Sequence, residues 1–205
     1  MSEKDYLQDI TEIKAIMNKS TRFISLSGLS GILAGIYALL GSAFGYFLIN
    51  SYKTNESPIS LMPLNYFELI IITVAITILL LSVITAFILT RKKAKKNNET
   101  VWNSTSKRLL VHFLIPLLSG GVFCVVLYQY NLIGLIASCT LVFYGLACIN
   151  ASKYTLGDIF YLGLANVVLG LIATQFIGFG LFFWALGFGV FHIIYGTLMY
   201  NKYDK

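Results

Sequence analysis

The sequence predicts an all-α polytopic membrane protein: six transmembrane helices, a short N-terminal amphipathic helix, and a repeated hairpin pattern. Three observations predict this. Hydrophobic residues make up 57% of the 205-residue chain and charged residues 12%, about half the share that a water-facing surface carries. The charges are not scattered. They stand at the ends of long uncharged runs, each near the ~20 residues that cross ~30 Å of bilayer hydrocarbon. With six spans, all of the fifteen Lys and Arg residues except Lys53 fall on one side. That asymmetry puts both termini and the basic loop in the cytoplasm. It also accounts for the net charge of +6 without a nucleic-acid partner.

Residues 1–22 place Tyr6, Ile10, Ile13 and Met17 on one helical face. This predicts a cytoplasmic amphipathic segment lying in the headgroup layer or docked on the protein's own loops. The membrane domain covers 23–200. Its first span, about 23–49, carries Ser27, Gly31 and Gly35 in one row. Small residues at this spacing let helix backbones approach closely, within the chain or in a homo-oligomer, with a dimer the expectation. After a loop with Pro58 and Pro63, the second span covers about 66–90, and Glu68 stands at capping-box spacing from Asn65.

Arg91, Lys92, Lys93, Lys95 and Lys96 follow, a cluster that anchors on anionic lipid headgroups. In the third span, about 109–130, Pro116 cannot donate to the carbonyl of His112. Gly120 and Gly121 come soon after, which together predicts a kink or break. A turn at Gln129–Asn131 leads to the fourth span, about 132–150. The fifth covers about 157–175 and opens on Asp158, again at capping-box spacing, from Thr155. The sixth covers about 178–200, and 201–205 form a cytoplasmic tail. Tyr144-Gly145 and Tyr195-Gly196 occupy matching places in the last two hairpins, as do Gln129 and Gln175.

The runs RFISLSGLSGILAGIYALLG, TLVFYGLACINASKYTLGDIFYLGLANVVLGLI and FWALGFGVFHIIYG resemble a family of uncharacterised six-span bacterial inner-membrane proteins. The resemblance implies the same fold and membrane and brings no established activity. In its glycine placement the hairpin pattern is loosely similar to the acid-resistance membrane-protein family.

Polar residues gather in the half of the bilayer nearer the basic loop: His112, Tyr144, Asn150, Asp158, His192 and Tyr195, with Asn166 nearer the middle. Polar side chains in lipid pair internally or line a cavity. This predicts an inward-facing polar pocket among spans three to six, with Pro116 at its rim. Axial haem ligation would require two imidazoles at equal depth, and His112 and His192 differ by about a turn, so no cofactor is expected. No HExxH or mixed carboxylate and histidine cluster is present, so no metal is expected. No nucleophile-and-base pair stands out, so no catalytic residue is assigned. Cys124, Cys139 and Cys148 form an odd set without CxxC spacing and read as packing residues. Two functions remain. One is a small transporter or channel with a cytoplasm-facing pocket; the other is a non-transporting membrane component that binds a lipid, small-molecule or protein partner. A continuous polar cavity marks the first and a dry, glycine-packed core the second.

Overall fold

The computed structural model describes residues 27–54, 58–97 and 100–203, so the amphipathic segment expected at 1–22 lies outside the described residues. Every regular element among them is helical. We number six helices: α1 (Gly28–Lys53), α2 (Leu64–Lys96), α3 (Ser104–Gln129), α4 (Ile136–Ala151), α5 (Ile159–Ala173) and α6 (Gly180–Tyr203). Short 3₁₀ turns extend α4 into one helical stretch, Ile133–Tyr154. Five of the six are long and apolar enough to cross a membrane. The exception is α5, whose 15 residues rise only about 22 Å against ~30 Å of hydrocarbon. The structure thus shows five helices long enough to cross and one shorter apolar helix, α5, which begins at Ile159 with Asp158 as its N-cap residue.

Helix ends follow local chemistry. α3 begins at Ser104 rather than near 109. The Asn103 side chain accepts from the Ser106 N–H at 2.8 Å, and the Ser106 hydroxyl accepts from the Asn103 N–H at 2.9 Å. That reciprocal cap satisfies two otherwise orphaned donors. α2 runs past residue 90 because Arg, Lys and Ala are strong helix formers and its last-turn lysines suit the negative end of the dipole. Its start is at Leu64, with Pro63 as the cap residue. The capping box expected at Asn65 and Glu68 therefore does not form, and Glu68 accepts from the Tyr128 hydroxyl at 2.7 Å. The turn after α3 places Asn131 in the left-handed region (φ 58°), and the turn after α5 does the same with Gly178 (φ 104°). Those residue types tolerate that conformation best.

α1 lies between α2 and α6, α4 lies between α3 and α5, and α6 joins the two sets by touching α4 and α5. Glycine permits two close crossings. A Cβ on Gly35 would sit 2.6 Å from the Gly189 carbonyl oxygen, and one on Gly145 would sit 2.5 Å from that of Gly163. Gly31 likewise faces Gly196, while Ser27 is the residue just before α1. Gly31 and Gly35 of that row are thus packed on α6 of the same chain. The outward faces of α2 and α3 are almost entirely bare apolar side chains.

Candidate functional site

Six of the seven residues expected to share one pocket divide into three groups. The first joins α3 to the end of α4. Because Pro116 has no N–H, the His112 carbonyl loses its helical donor; the Asn150 amide nitrogen donates to that oxygen at 2.8 Å instead. α3 consequently runs unbroken through Pro116, Gly120 and Gly121, which corrects the expected break. The His112 Nε2 lies 3.0 Å from the Tyr154 hydroxyl, with the two rings stacked at 4.7 Å.

The second group is buried where α4, α5 and α6 meet. His192 is 7% exposed. Its Nδ1 lies 2.9 Å from the Gly187 carbonyl oxygen and its Nε2 lies 2.7 Å from the Tyr144 hydroxyl. A carbonyl can only accept, so in the neutral ring Nδ1 carries the proton and Nε2 accepts from Tyr144. Gly187 belongs to a π-helical segment of α6, Ala185–Val190. Such widened turns often mark functional or strained places in helices. A Cβ at Gly187 would strike Leu141 and would lie 2.6 Å from the Asn166 Oδ1. Asn166 itself is fully buried; its Nδ2 donates to the Leu162 carbonyl at 2.9 Å, and its Oδ1 has no hydrogen-bond partner among the described residues. That oxygen faces the side where Gly187 carries hydrogen in place of a Cβ, a weak C–H···O arrangement.

The third group stands at the ends of α5 and α6. Asp158 accepts from the Lys202 ammonium at 3.0 Å and from the Tyr203 hydroxyl at 2.9 Å. As the N-cap residue of α5 it makes no side-chain capping bond. Partial burial by itself would raise the Asp158 pKa. The Lys202 and Tyr203 hydrogen bonds and the Lys202 charge outweigh it and hold the carboxyl below its ordinary value. The ion pair is largely exposed, so it adds little to stability.

Tyr195 belongs to none of the three. Its hydroxyl is buried without a partner among the described residues. The residue lines a cleft of about 720 Å³ between α5 and α6, with Leu162, Ala165, Phe191 and Leu198 as walls and Asp158 and Lys202 at one end. Sequence reading missed Tyr154, Gly187, Lys202 and Tyr203 as partners. Lys202 and Tyr203 had a usable signal: they follow the last apolar run at the depth where Asp158 opens α5. Gly187, one glycine among 17, had none. Of the headgroup cluster, Arg91, Lys92 and Lys95 border a small cleft beside Phe87 and Ile88 on the continuation of α2; Lys93 and Lys96 share that extension. Among the described residues no group of three or more His, Cys, Asp or Glu could hold a metal ion. No family model, no curated protein and no solved structure matches this chain.

Proposed function

We propose that the protein is a non-transporting component of a bacterial inner membrane that binds a phospholipid in the cleft between α5 and α6. The observation that carries this reading is the cleft itself: apolar walls ending in a side-by-side carboxylate and ammonium, Asp158 and Lys202. A zwitterionic headgroup of the ethanolamine class complements that pair, its ammonium toward Asp158 and its phosphate toward Lys202. The acyl chain lies against Leu162, Ala165 and Phe191. Two further features support the reading. α5 is too short for a full crossing, which favours local thinning of the bilayer at the cleft. The basic extension of α2 supplies anionic-headgroup contacts of about 1 kcal/mol per cation.

Transport fits less well. His112, Asn150, Tyr144 and His192 are consumed by one another or by backbone carbonyls, and glycine seams close the helix crossings. The positive-inside pattern places both termini and the cleft's charged end toward the cytoplasm. The test is lipid retention by the full chain in nanodiscs, read by native mass spectrometry. Asp158→Asn combined with Lys202→Met is expected to reduce retention of an ethanolamine phospholipid about fivefold, the value of one headgroup contact, without changing a glycerol phospholipid. Equal retention by wild type and double variant would defeat the lipid site. Solute flux in proteoliposomes that is abolished by His192→Phe would restore the transport reading.

A further inference from the structure

Two cysteines that neither the fold nor the lipid cleft uses meet across the interface of α3 and α4. Cys124 and Cys139 bring their sulfurs to 3.4 Å, and both are free thiols. Their neighbours fix the meeting. Gly120, one turn before Cys124, packs directly on Phe143, one turn after Cys139, and the Cys139 thiol lies 3.8 Å from the Gly120 carbonyl. α3 and α4 therefore cross at their closest beside the two sulfurs.

The pair is also reachable from one side. Gly121 stands three residues before Cys124, on the same side of α3, and no atom lies within 4 Å of where its Cβ would be. The flank of Cys124 is thus bare, and Cys124 is half-buried while Cys139 is buried. The whole surround is apolar helix surface, so a reagent arriving there must be uncharged and dissolved in lipid.

We propose that Cys124 and Cys139 are a redox-active pair that closes to a disulfide within the membrane, with a lipid-soluble quinone as oxidant. Each thiol gives up its proton and one electron, the sulfur–sulfur bond forms, and the quinone takes both protons and both electrons to become the quinol. Cys148, fully buried and nine residues further along α4, is not part of the exchange. Closure ties α3, whose main neighbour is α4, to the rest of the bundle by a covalent bond. This inference is independent of the lipid cleft.

The experiment uses the full chain in phospholipid vesicles, treated with a short-chain benzoquinone, then denatured and tagged at free thiols with a maleimide polymer. Wild type is expected to fall from three tags to one and to regain three after reduction with dithiothreitol. Cys124→Ser and Cys139→Ser should each hold at two tags, and Cys148→Ser should fall from two to none. Retention of all three tags by the wild type, loss that involves Cys148, or bonds formed between two chains would overturn the proposal.

Discussion

Pro116 leaves the His112 carbonyl without its helical donor, and Asn150 replaces it from a neighbouring helix at 2.8 Å. Removing Asn150 therefore strands a carbonyl away from water, at a cost of about 1–3 kcal/mol. Asn150→Ala should destabilise the protein by that much in thermal unfolding from detergent. In a Pro116→Ala background the same change should cost markedly less, because residue 116 then supplies its own N–H. Equal costs in the two backgrounds would show that the Asn150 bond does not stand in for the missing donor. The first half of this arrangement was legible in the sequence, since a proline fixes which carbonyl is orphaned. The rescuer was not, because Asn150 lies 38 residues after His112 in the chain and leaves no periodic trace. Asp158 makes a second test. Its pKa is lowered in the folded protein, so its contribution is complete above the unfolded value of about 3.9 and is lost as pH falls through the lower folded value. Asp158→Asn should flatten the acid limb of the stability profile below about pH 4, and lower stability near neutrality by the same small amount. An acid limb identical to wild type would remove the Lys202 and Tyr203 bonds as its source.

The glycines of these helices look alike in sequence and differ entirely in what surrounds them. Gly35 faces the Gly189 carbonyl oxygen, and Gly187 faces Leu141 and Asn166, whereas Gly121 faces open space. Gly35→Leu and Gly187→Ala should each destabilise by about 1–3 kcal/mol through overpacking. Gly121→Ala should be neutral or stabilise by up to about 1 kcal/mol through helix propensity alone. The same order should appear in thermal midpoints in detergent; a loss at Gly121 as large as at Gly35 would contradict the packing described. Spacing singled out the Gly31 and Gly35 face correctly as a close-approach surface. It could not name the helix on the other side, since α6 and a second subunit present the same small residues. The π-helical segment at Ala185–Val190 was invisible for a related reason: ALGFGV reads as ordinary apolar helix, and only packing against Leu141 and Asn166 sets its width.

At the scale of the molecule, hydropathy located the apolar helices but not the deficit in α5. Apart from Asn166, every residue from Ile159 to Ala173 suits lipid, and nothing in that run marks where the helix stops. The expected polar pocket met a similar limit. Depth along each helix was readable, but rotation was not, so residues at one level were gathered although they face different neighbours. Orientation carries its own test. With native cysteines replaced, Lys95→Cys and Tyr203→Cys should resist an impermeant thiol reagent in intact cells and react once the membrane is opened. Labelling of either in sealed cells would invert the topology and move the cleft to the other leaflet.

One minor contact has a mechanical consequence. Glu68 and Tyr128 join the start of α2 to the end of α3, while the opposite ends are linked by the few residues from Asn97 to Asn103. Because α2 packs mainly on α1 and α3 mainly on α4, this single hydrogen bond is what holds these two helix ends together, and its loss would leave each helix tied only to its own neighbour.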